Sequence, residues 1–168
     1  SVKTSKPKNL KSNSGIIIDG EEGCLVKFAR CCTPLPGDNI IGFVTRGHGV
    51  SIHKYDCPNV TSIIDHSEYA DRWVKAEWEH GQNEGSNAGV YEAFIQLHTE
   101  DRIGMLADIA TALADMRVSI LQINVTPRAE SAYVINMKVG CRNIDHYNSI
   151  VSRLRGLRGV DNILRGFS

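Results

Sequence analysis

The chain has 168 residues, of which 42% are hydrophobic and 23% charged, and 19 cations balance 19 acids. That composition excludes global disorder, and the charge balance removes any bulk field for capturing a polyanion. No apolar run approaches the ~20 residues of a membrane span, SVKTSKPKNL lacks a signal-peptide core, and an odd five cysteines point away from a disulfide framework and toward a reducing, cytoplasmic setting.

Charge is uneven along the chain. Residues 1–14 hold four lysines and no acid, 15–80 hold ten acids against six cations, and 81–168 hold nine of each. The basic start reads as a solvated linker. Residues 15–80 then alternate short apolar runs with turns. Strands are expected at 15–19, 24–29, 39–45, 50–54 and 73–79, with Arg46 to Gly49 closing a hairpin. Thr33 to Asp38 reads as a loop, because Pro34 and Pro36 remove two donors and fix φ. A short helix is expected from Asn59. About 65 residues make a small core, one that a metal or a docked neighbour would help.

The Gly/Asn/Ser-rich stretch 81–89 reads as a second linker. Beyond it, 90–168 follows the order strand–helix–strand–strand–helix–strand. The first helix is expected from Ile103 to Arg117, with Ile103, Leu106, Ala110 and Leu113 on one face. The second carries Ile144, Tyr147, Val151 and Leu154 inward. Right-handed crossovers put both helices on one face of a four-stranded antiparallel sheet. The fold class is therefore α+β: a small, mostly β cysteine-rich module followed by a ferredoxin-like βαββαβ domain.

Three groups of residues are candidates for chemistry. Cys31, Cys32, His53 and Cys57 match a tetrahedral zinc site in ligand type. The adjacent pair fits poorly on a strand, where neighbouring side chains point to opposite faces, so both bind one ion only if the strand ends or bulges there. Asp56 is an alternative ligand, and burial of an inert cysteine is the structural alternative. Cys24 reads as core and Cys141 as structural. The second group is the turn Thr99 to Leu106. Asp101, Arg102, Ile103, Gly104 and Leu106, with Asn124 on the next strand, form a candidate site for a small amino acid, its carboxylate on the helix start. Asp101 acting only as a cap is the alternative there. The third is a basic hairpin tip, Arg46, His48 and Lys54, with Lys27 and Arg30 nearby, suited to RNA phosphates or simply solvated. No oxyanion-hole loop or enclosing cleft is evident, which argues against an enzyme.

The run LVKFARCCTPLPGDNIIGFVTRGHGVSIHKYDCPN (25–59) resembles the cysteine-rich module of the long RelA/SpoT-homologue enzymes, the bifunctional (p)ppGpp synthetase/hydrolases of the stringent response. The segment from LHTEDRIGMLADIATAL onward resembles their ACT domain. The resemblance implies a noncatalytic regulatory piece whose parent is a GTP pyrophosphokinase and (p)ppGpp hydrolase. It implies ribosome and rRNA contact, control of the catalytic domains in cis, and dimerisation. Cys31, Cys32, His53 and Cys57 stand where some members carry a zinc-finger-like set. A branched-chain amino acid is the implied ligand of the ACT turn. The alternative function is an amino-acid-sensing ACT module without an RNA role.

Overall fold

The computed structural model describes residues 15–19, 25–47, 49–79 and 90–166. Both linkers, Cys24 and His48 lie outside the described residues.

The cysteine-rich half builds two sheets. Strand β1 (Ile16–Ile18) pairs antiparallel with β6 (Ala76–Trp78). The second sheet runs in the order β2 (Val26–Phe28), β4 (Gly49–Lys54), β3 (Ile40–Thr45), β5 (Trp73–Val74). The hairpin closes at Thr45 and Gly49, as its turn residues require. Gly49 adopts φ 79°, and a side chain there would strike the Leu25 carbonyl. The single strand expected over 73–79 is divided. Trp73 and Val74 pair with β3, and the chain then leaves at Lys75 to join β1. A four-residue helix, α1 (Pro58–Thr61), and a 3-10 helix (Ser67–Arg72) link the hairpin to β5.

Two small cores result. Ile16, Ile18, Val50, Ile52 and Ala76 form one; Ala29, Cys32, Ile41, Cys57 and Val60 form the other. Two of the five buried residues in the latter are candidate metal ligands, so that site and the core share the same atoms.

The second half is a βαββαβ unit: β7 (Tyr91–Glu100), α2 (Met105–Asp115), β8 (Ile120–Ala129), β9 (Ala132–Cys141), α3 (Ile144–Arg155) and β10 (Val160–Arg165). The sheet order is β10-β7-β9-β8, with every pair antiparallel. Alternation puts Ala93, Ile95 and Leu97 opposite Val139, Met137 and Ile135 on the helix-covered face. Helix α2 starts later than the sequence pattern suggests. Its buried stripe is Met105, Ile109, Ala112 and Leu113, while Ile103 and Leu106 are exposed. The reason is Gly104, which takes φ 86° and breaks the helical phase between Ile103 and Met105. Helix α3 buries Tyr147, Ile150 and Leu154, and Asn143 caps it by accepting the His146 N–H.

The proline loop is not a surface loop. Leu35 is fully buried inside the core of the βαββαβ unit. The Ile144 amide donates to the Pro36 carbonyl at 2.9 Å. Gly37 sits so close to Ile144 that a Cβ would fall 2.4 Å from its Cγ2. Tyr91 contacts both Phe28 and Trp78 edge-on at 5.7 Å. The two halves are therefore interlocked.

Candidate functional site

Strand β2 ends at Phe28, and the chain turns so that the Thr33 amide bonds back to the Ala29 carbonyl at 2.9 Å. This helical turn, not a strand, carries Cys31 and Cys32, so both sulfurs reach the same side. His53 comes from the end of β4 and Cys57 from the residue before α1. The four ligand atoms all lie within 4.8 Å of one another. Cys31 Sγ is 3.4 Å from His53 Nδ1, 3.6 Å from Cys57 Sγ and 4.0 Å from Cys32 Sγ. Four ligands on a tetrahedral zinc at standard bond lengths stand roughly 3.5–3.8 Å apart, so the set has the size of such a site.

The surroundings fit a cation. Ser51 Oγ lies 3.2 Å from His53 Nε2, so that nitrogen has a partner outside the group while Nδ1 faces the sulfurs. The Lys54 amide donates to Cys32 Sγ at 3.3 Å. Burial pushes the Cys32 thiol far above its ordinary value, and the charges of Cys31 and Cys57 add to that. Burial likewise raises Cys57 and lowers His53. A neutral imidazole is the ligating form, and only a cation in their midst makes the packed thiolates favourable. Asp56 is outside the group; its exposed carboxylate pairs with Lys54 at 3.3 Å. Cys141 is buried and donates to the Asn143 carbonyl.

The ACT-type turn forms a second feature. A cavity of about 420 Å³ is lined by Thr99, Asp101, Arg102, Gly104, Met105, Leu106, Ala107, Val125, Tyr133 and Ile135. Four of the six residues expected here are present. Ile103 is fully exposed and outside the lining. Asn124 lies in register with Asn136 on the opposite face of the sheet, one step out of phase with Val125. Arg102 is engaged elsewhere, donating to Asp108 at 2.6 Å and to the Arg158 carbonyl at 2.8 Å. Thr99 was missed by the motif reading. Its hydroxyl is buried without a hydrogen-bond partner and lines the cavity. Its signal was its position one alternation beyond Leu97 on β7.

The basic residues are dispersed. Arg46 is at the hairpin tip, while Lys54 ends β4 about 17 Å away at strand rise. Lys27 and Arg30 are exposed on and just beyond β2. None of the helices among the described residues is long and apolar enough to cross a membrane.

Residues 16–79 match the RelA/SpoT RIS domain, and residues 87–165 match the ACT domain. A bifunctional (p)ppGpp synthase/hydrolase RelA of Mycobacterium tuberculosis is 34% identical over 167 residues, 98% of this chain and 22% of that one. A GTP pyrophosphokinase of Escherichia coli is 31% identical over 160 residues, covering 94% of this chain and 21% of that protein. The ACT domain crystal structure from the GTP pyrophosphokinase of Chlorobium tepidum covers 45% of this chain and 97% of that one, at 22% identity and a TM-score of 0.41. The chain spans about a fifth of the length of these full-length relatives.

Proposed function

We propose, for a chain that belongs to the RelA/SpoT family through its RIS and ACT domains, that it works as a noncatalytic regulatory unit. It controls the synthetase and hydrolase domains of its parent protein in cis, in the cytoplasm, by gripping ribosomal RNA through the RIS half. The carrying observation is the interlock. With Leu35 seated in the ACT core and Asp38 paired with Arg165, a partner bound to either half changes the position of both. A partner that prefers one arrangement of this unit shifts the parent between its states by that difference in affinity.

Zinc is the proposed ion of the RIS half, held by Cys31, Cys32, His53 and Cys57. When bound, it supplies a structural crosslink to a module whose two cores hold five buried residues each. The RNA contact is assigned to Arg46, His48, Lys27, Arg30 and Lys54, of which Lys27 lies on β2, Arg30 just beyond it, Arg46 in the turn after β3 and Lys54 at the end of β4. Co-sedimentation with ribosomes over a salt series tests it. Binding should weaken with salt and weaken further in Arg46→Glu/Lys54→Glu. Unchanged binding in that variant removes these residues from the interface.

An amino-acid sensor without an RNA role is the second reading, and the buried Thr99 hydroxyl in the cavity favours it. The carboxylate of a branched-chain amino acid would meet the start of α2, and its side chain would meet Leu106, Val125 and Ile135. Calorimetry with valine and isoleucine, alongside the ribosome assay, separates the two. Valine binding with no ribosome affinity supports the sensor alone.

A further inference from the structure

The turn that brings Cys31 and Cys32 together is a strained one. Thr33, which is β-branched, sits at φ 42°, in the left-handed region that such residues avoid. Relaxed to an extended conformation, this segment would send the two sulfurs to opposite faces. What holds the bend comes from the far end of the chain. The Arg165 guanidinium donates to the Thr33 carbonyl at 3.0 Å and to both carboxylate oxygens of Asp38. Asp38 in turn accepts the Leu35 amide at 2.7 Å and so closes the loop. Gly166 lets the end of β10 abut the ligand residue itself, since a Cβ there would lie 3.1 Å from the Cys31 carbonyl oxygen.

We infer that the ACT domain is a working part of the metal centre. Arg165 and Asp38 are positioning residues for Cys31 and Cys32, and occupancy of the centre is linked to seating of the ACT domain on the Thr33–Asp38 loop. The inference rests on the zinc reading above and adds to it a direction. Zinc, by fixing the doublet, tightens the loop against α3 and β10. Reciprocally, ACT seating holds the doublet in its ligating form, as linkage requires.

The test uses the full 168-residue chain and zinc. Zinc affinity is measured by competition with a chromophoric chelator, and hydrogen exchange is followed at residues 144–147 and 160–166 with zinc or with EDTA. Zinc should slow exchange at the Ile144 amide, which bonds to Pro36. Arg165→Gln should lower zinc affinity about tenfold, the usual effect of losing a group that orients a ligand. Adding Thr33→Gly, which tolerates the left-handed conformation, should recover part of that loss, and urea denaturation of the same variants separates positioning from stability: a zinc loss that persists where the variant is fully folded belongs to positioning. Equal zinc affinity in wild type and Arg165→Gln, or exchange at 144–147 that ignores zinc, overturns the linkage while leaving the zinc site standing. A wild-type chain that binds no zinc overturns both. If Arg165→Gln does not fold, the wild-type exchange comparison decides.

Discussion

Asp38 and Arg165 are 127 residues apart in sequence and meet in a two-pronged ion pair, with Nη1 at 2.9 Å from Oδ1 and Nη2 on Oδ2. Their side chains are 7% and 16% exposed, and the guanidinium lies over the Tyr147 ring at 5.0 Å. Removing one partner of a buried pair strands the other charge and costs about 3–5 kcal/mol. Arg165→Ala should therefore destabilise the whole chain by about that amount in urea denaturation. Arg165→Lys, which loses the fork geometry, should be intermediate. A loss below about 1 kcal/mol for the alanine variant, the range of exposed pairs, would remove the pair from the frame of the molecule.

Leu35 belongs by sequence to the cysteine-rich half and by packing to the ACT core. Truncation to alanine should cost about 2–5 kcal/mol, as for other fully buried leucines. The loss should appear in the ACT half, as lowered protection of α2 and α3. Gly37→Ala should act in the same place, because φ 101° disfavours any side chain and the new methyl would press on Ile144. Scanning calorimetry of the wild-type chain should show one transition, since Leu35 of the first half completes the core of the second and the Asp38–Arg165 pair joins them. Two well-resolved transitions would show that the halves melt independently.

The ACT half was legible because its periods are clean. Tyr133, Ile135, Met137 and Val139 alternate, and Tyr147 and Leu154 recur at helical spacing. Asn124 was assigned to the cavity because motif spacing carries no face, and only the register with Asn136 shows that it points away. The proline loop was unreadable for a different reason. Two prolines, a glycine and an aspartate are the residues of a solvated turn, and nothing local reveals that Leu35 enters another core. The cysteine doublet was legible in ligand type but not in geometry. The turn that unites the two sulfurs depends on Thr33 in an unfavoured conformation, held by a residue at the opposite end of the chain.

His146 gives the fold a pH dependence with a defined sign. Burial, and then the charge of Arg142, lower its pKa below the ordinary value. Its Nδ1 accepts the Arg142 amide at 3.1 Å, which requires the neutral ring. Between the lowered folded value and the unfolded value near 6.5, the unfolded chain holds more protons. Stability therefore rises with pH across that window. The contribution is fully present above about pH 6.5 and is lost as pH falls through the folded value. Urea midpoints at pH 7.5 and 5.5 should differ, with the lower pH less stable. The difference should shrink in His146→Gln. An unchanged difference in that variant would assign the effect to other groups.

The ACT sheet ends on β8, which pairs only with β9 and leaves its other edge open among the described residues. A ten-residue open edge invites pairing with another chain. We propose that a second copy of this chain pairs there, because apolar side chains stand along the edge. Leu121, Ile123 and Val125 are 50%, 43% and 36% exposed, and Ile123 and Val125 stand level with Met137 and Ile135 on the helix side. With exposed Leu106 beside Val125 at the cavity, they form an apolar strip running along the edge. Antiparallel pairing of β8 with its own copy about a two-fold axis would extend the sheet to eight strands and cover both strips at once. Light scattering at high concentration should therefore give the dimer mass. Ile123→Lys should give the monomer mass with an unchanged circular dichroism spectrum, because this side chain is already half open to solvent. A monomeric wild-type chain at every concentration would leave the strip without this partner.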